Sequence, residues 1–110
     1  MGRIGEGDVF WAELASPKGR RPILVVQADW VTRSGIGTVI CVPLTTQLAL
    51  AEAPGNVLLE SDRTGLPKDS VAVVSAVMAL ERQLFGARVG TLARHDLRRV
   101  VAGIDLLLAE

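Results

Sequence analysis

Six short apolar runs, each set off by glycine, proline or charge, fill the chain up to residue 92. That pattern excludes a helical bundle and points to a protein built mainly from short strands. The runs cover residues 8–14 (DVFWAEL), 23–27 (ILVVQ), 37–45 (GTVICVPLT), 56–60 (NVLLE), 70–80 (SVAVVSAVMAL) and 88–92 (RVGTL). Pro22 stands at the start of the second, where a missing N–H does least harm. Pro43 predicts that the third leaves its ladder or runs along an edge, and Ser75 predicts a bend in the fifth. "RSGIG" reads as a hairpin turn, "RTGLPKD" as a second turn, and residues 81–84 as a brief helical turn. The period then changes. Leu97, Val100, Val101, Ile104, Leu107 and Leu108 recur at helical spacing, so residues 95–109 are expected to form one amphipathic helix. Several strands closed by a terminal helix suggest a small, strongly bent β-barrel with the helix packed against it.

At 110 residues there is room for one domain and one core. Twelve basic and twelve acidic residues cancel, so any nucleic-acid contact must come from a local patch. The charge is unevenly spread: residues 38–60 carry no Lys or Arg, while Lys18, Arg20 and Arg21 cluster, as do Arg94, Arg98 and Arg99. Valines and alanines on both faces of residues 70–80 suggest a fully buried strand or one that meets a second copy of the chain. The single Cys41 lies among apolar neighbours and reads as a buried, reduced thiol in a cytoplasmic protein. No stretch has the length or flanks of a signal or membrane-spanning segment.

Few residues suggest chemistry. His95 is the only histidine and reads as a solvated residue at a helix start. No metal-ligand spacing or phosphate-binding glycine loop is present, so neither metal nor cofactor is expected. Two features remain. Pro22 restricts Arg21 to extended backbone, and a guanidinium offers a planar fork matched to phosphate oxygens. Thr45 and Thr46, at the end of the third run, offer hydroxyls that donate and accept hydrogen bonds. Taken alone, the arginine pair reads as solvated charge and the threonine pair as strand propensity.

The order of the motifs adds what single residues do not. "GDVFWAEL", "RRPILVVQ", "TVICVPLTTQ", "APGNVLLE", "GLPKDSVAVVSAV" and "RVGTL" together resemble the MazF/PemK family of toxin endoribonucleases across nearly the whole chain. The resemblance implies one domain over residues 1–110, an SH3-like barrel with a C-terminal helix, and a homodimer. It implies cleavage of single-stranded RNA without metal and neutralisation by a MazE-like antitoxin. Arg21 and Thr45 match the family's catalytic pair, with Lys18, Arg20, Thr46 and Gln47 expected to contact RNA. Two positions depart from the family pattern. Only "ASPKG" separates Leu14 from Arg20, where relatives carry a longer loop, and Ser75 stands where some relatives carry an acid. The alternatives are a catalytically silent binding module of the same fold and a CcdB-like gyrase poison. The latter relies on a terminal Trp-Gly-Ile that this chain, ending "DLLLAE", lacks.

Overall fold

The third apolar run forms the strand on which the sheet is organised. A computed structural model describes residues 3–15 and 18–109. The strands are β1 (Asp8–Ala15), β2 (Lys18–Val25), β3 (Thr38–Thr45), β4 (Val57–Leu59), β5 (Ser70–Ala72), β6 (Met78–Glu81) and β7 (Phe85–Thr91). The helices are α1 (Asp29–Thr32), α2 (Ser61–Thr64) and α3 (Arg94–Leu108), with 3₁₀ turns at Leu48–Glu52, Val74–Ala76 and Arg82–Leu84. The sheet runs β4-β5-β3-β2-β1-β7, and β6 also pairs with β3. All pairings are antiparallel.

The expected fifth strand is broken in two, for a reason that lies in β3. Leu44 and Thr45 pair with Ala72 and Val71, while Thr38 to Cys41 pair with Glu81 to Met78. The register differs by three residues between these segments, the length of the intervening 3₁₀ turn Val74–Ala76. Pro43 lies opposite that insertion. Its carbonyl accepts from the Val73 N–H at 3.1 Å, but it has no N–H to return, so the partner strand bulges away there. The bend anticipated at Ser75 is this turn.

The sheet is apolar on both faces. One face carries Val9, Leu24, Val42 and Leu44 and packs on β4, β5 and α3 through Val57, Leu59, Val74 and Val100. The other carries Phe10, Ala12, Ile23, Val25, Val39 and Cys41, with Phe85 closing over them. Phe10 and Phe85 meet edge to face with centroids 5.3 Å apart. One chain thus buries both Val71 and Ala72, the two-sided apolar pattern noted in the sequence.

Strand β2 begins at Lys18, earlier than its apolar run. Lys18, Gly19, Arg20 and Arg21 pair with Ala15, Leu14, Glu13 and Ala12. Cross-strand partners therefore extend the ladder through residues whose polarity suggests a loop. The "RSGIG" segment is a turn but joins α1 to β3, so β2 and β3 are not a tight hairpin. Buried Gln27 ties this excursion down. Its amide donates to Thr32 Oγ1 at 3.0 Å and to the Thr38 carbonyl, and its Oε1 accepts from the Ile40 N–H at 3.1 Å.

Helix α3 buries Asp96, Leu97, Val100 and Gly103, with Ile104 partly covered. Val101, Leu107 and Leu108 remain exposed, so the buried stripe is narrower than the apolar periodicity suggests. Two contacts fix the helix. At its start, Asp96 is 1% exposed, and Arg63 of α2 donates to Oδ2 at 2.9 Å. Burial raises the cost of ionising Asp96, yet the Arg63 hydrogen bond and charge, with His95, hold its carboxyl below the usual range. Further along, Gly103 packs backbone to backbone on Gly55, whose φ is +81°. A Cβ on Gly103 would overlap the Gly55 carbonyl oxygen.

Gly103→Ala is expected to lower stability by at least about 1–3 kcal/mol by urea titration, because both overlapping groups are backbone. Asp96 is expected to contribute stability above its ordinary pKa of 3.8 and to lose it as pH falls through the lower folded value. Asp96→Asn should therefore flatten the acid limb of the stability–pH curve, as measured by thermal melts.

Candidate functional site

Arg21 and Thr45 lie where the β2–β3 ladder opens. The paired residues are Val25 with Cys41, Leu24 with Val42 and Ile23 with Pro43. Pairing stops there, beside Pro22, so two prolines without N–H groups mark the end of the ladder. Counting the same register two residues further brings Arg21 opposite Thr45. Both residues line one open cavity of about 430 Å³. Its apolar wall includes Leu14, Pro43, Val73 and Met78. The interrupted fifth run supplies part of that wall, a contribution invisible while residues 70–80 read as one strand.

The polar groups are arranged asymmetrically. Arg21 is exposed and forms no ion pair among the described residues, leaving its guanidinium available to an anion. Thr45 is half-buried, and its Oγ1 accepts from the Gln47 N–H at 3.2 Å. Engaging that oxygen leaves the hydroxyl hydrogen free to donate into the cavity. Thr46 also lines the cavity. Gln47 does not; its backbone N–H instead braces Thr45, and its carbonyl accepts from the Leu50 N–H.

Strand alternation separates the basic residues that sequence proximity had grouped. Arg20 and Lys18 lie on the face opposite Arg21. The Arg20 guanidinium sits 5.3 Å from the Trp11 ring centroid, and Glu13 is its cross-strand partner. Neither Lys18 nor Arg20 lines the cavity. Ser75 is exposed in the 3₁₀ turn, between Val73 and Ala76, which do line it. Of the short "ASPKG" connection, Ser16 and Pro17 lie outside the described residues, while Ala15 and Lys18 on either side are paired.

Other reactive groups are remote or inert. Burial pushes the Cys41 thiol from 9.0 up to about 12, so it stays protonated at neutral pH and is no nucleophile. His95 is exposed at the start of α3, beside Asp96. Among the described residues, no three His, Cys, Asp or Glu side chains are close enough together to hold a metal ion. No helix among them is long and apolar enough to cross a membrane.

Residues 5–108 match the family of PemK-like, MazF-like toxins of type II toxin–antitoxin systems. The chain belongs to that family. Endoribonuclease MazF6 of Mycobacterium tuberculosis is 37% identical over 110 residues, spanning 96% of both chains. Two solved structures share the fold. MazE–MazF from Deinococcus radiodurans superposes with a TM-score of 0.79 at 19% identity, covering 99% of this chain and 98% of that one. A mycobacterial endoribonuclease in complex with its cognate antitoxin gives 0.79 at 18% identity, covering 96% and 95%. The protein is thus a MazF-like toxin with a mostly β fold and a C-terminal helix, and curated relatives of its class are endoribonucleases.

Proposed function

We propose that this toxin is a sequence-specific endoribonuclease that cleaves single-stranded RNA without a metal, with Arg21 and Thr45 acting on the scissile phosphate. The observation that carries this reading is their convergence on one cavity where the β2–β3 ladder opens. The endoribonuclease relatives supply the substrate class.

RNA carries its own nucleophile. The 2′-oxygen attacks the adjacent phosphorus and loses its proton. The bond from phosphorus to the 5′-oxygen breaks, and that oxygen takes up a proton. The products are a 2′,3′-cyclic phosphate and a 5′-hydroxyl end. The protein's task is to hold the in-line geometry and offset the charge that builds on the phosphate oxygens. Arg21 suits the second role, because a guanidinium stays protonated at every working pH. The same property makes it a poor proton donor. Thr45, braced by Gln47, donates from a fixed direction to a phosphate oxygen or orients the 2′-hydroxyl. Thr46 adds a second hydroxyl to the cavity. Lys18 and Arg20, with Trp11, form a cationic and aromatic patch on the other face of the hairpin, suited to the flanking strand. Gln47 contributes by bracing Thr45.

The toxin works as a homodimer in the cytoplasm. A MazE-like antitoxin restrains it, a reading supported by the likeness to MazF in the MazE–MazF structure from Deinococcus radiodurans.

Antitoxin-free protein is expected to cut a long mixed-sequence RNA at discrete sites in EDTA, leaving 5′-hydroxyl ends. Arg21→Ala should slow single-turnover cleavage by roughly 100- to 1,000-fold. A 2′-deoxy substitution at the cut site should abolish it. Absence of cuts from the folded protein across varied RNA sequences would overturn the enzymatic reading in favour of a silent binding module.

A further inference from the structure

A second cationic cavity, which shares no lining residue with the cavity of Arg21 and Thr45, lies where β1 begins beside α1. Its volume is about 440 Å³, and Arg3, Arg33, Arg82 and Arg88 line it with Asp8 and Asp29. The carboxylates face other tasks. Asp8 accepts from the Gly5 N–H at 2.9 Å and the Thr91 hydroxyl at 2.7 Å, and Asp29 accepts from the Glu6 N–H at 2.8 Å. The Arg88 guanidinium reaches Asp8 only at 3.7 Å. Four guanidiniums against two carboxylates leave a surplus of positive charge.

Arg82 is the most informative member. Its Nε donates to the Ile36 carbonyl at 3.1 Å and its Nη2 to the Thr32 carbonyl at 2.6 Å. Among the described residues it has no carboxylate partner. Two backbone carbonyls therefore fix the guanidinium plane, while its remaining N–H groups make no hydrogen bond among the described residues. A guanidinium fixed in this way is preorganised for a tetrahedral anion.

A larger cavity of about 510 Å³ adjoins the first and shares Arg3, Ile4 and Arg88 with it. Phe10, Phe85, Gly86 and Ala87 complete its lining. A cationic hollow opening into an apolar, aromatic-edged one matches a ligand with a phosphate at one end and a flat apolar body at the other. We propose that these joined cavities bind one nucleotide unit, with its phosphate on Arg82, Arg88, Arg33 and Arg3 and its base against Ile4, Phe10 and Phe85. The unit is either a free nucleoside monophosphate or one residue of a longer strand, and its binding does not depend on cleavage at Arg21.

Calorimetric titration of the full chain with 5′-AMP, adenosine and an uncleavable DNA decamer tests the site and distinguishes the sources. Arg33→Gln alters an exposed side chain that makes no ion pair among the described residues, so folding is not at issue. Arg88→Gln is the second variant, and Arg98→Gln, at an exposed arginine that lines neither of the joined cavities, is the control. AMP is expected to bind at least about tenfold more tightly than adenosine, and about tenfold more weakly to either glutamine variant, the effect of losing one charge-assisted hydrogen bond. It should bind Arg98→Gln unchanged. Binding of the decamer alone, with the same sensitivity to Arg33 and Arg88, assigns the unit to a strand. Indifference of both phosphate ligands to Arg33 and Arg88 would overturn the proposal, as would adenosine binding equal to that of AMP.

Discussion

The central strand pairing of β2 with β3 ends at Ile23 and Pro43, and the candidate active site depends on that ending. On one side of it, residues 23–25 and 41–43 are fully paired, and Ile23, Val25 and Cys41 belong to a buried apolar core. On the other, β2 continues against β1 alone, and β3 continues against β5 alone. Proline explains the break, since Pro22 and Pro43 bring no N–H to it. The same Pro43 lets the neighbouring strand insert Val74–Ala76, and part of that insertion becomes cavity wall. Strand termination, bulge and cavity thus share a single local cause. It leaves an arginine and a threonine facing solvent on rigid strands, the kind of support that fixes polar groups before a substrate arrives.

Around this opening, the remaining elements cover the sheet. Helix α3 rests on the first apolar cluster through Leu97 and Val100. It is tied to α2 by the buried Asp96 and to the turn at Gly55 by a side-chain-free contact at Gly103. Phe85 closes the opposite face against Phe10. With both faces occupied, β3 is exposed only at Ile40, and the residues beyond the end of its ladder with β2 carry the free polar chemistry.

Much of this was legible in the sequence. The runs leading to β1, β3, β4 and α3 were recognisable because turn residues bounded them and their periods were clear. Residues 70–80 misled because composition cannot reveal that β3 pairs with two strands in different registers. Helix α1 and the 3₁₀ turn at Leu48–Glu52 are too short to leave a periodic trace. The early start of β2 was hidden for a related reason, since Lys18 to Arg21 look like loop but pair with β1. That misreading also grouped Arg20 with Arg21, whereas strand alternation separates them. Arg21 and Thr45 stood out only through the family resemblance. The reason they meet is a register between residues 24 positions apart in the chain, which no local pattern encodes.

The central claim is that Arg21 and Thr45 act on one phosphate from two sides. A double-mutant cycle on single-turnover RNA cleavage tests it most directly, comparing wild type, Arg21→Ala, Thr45→Ala and the double variant. Groups that share one transition-state oxyanion behave as a unit, so the double variant should be little slower than the slower single variant. Fully additive losses in activation free energy would show two independent contributions and contradict the shared-phosphate site.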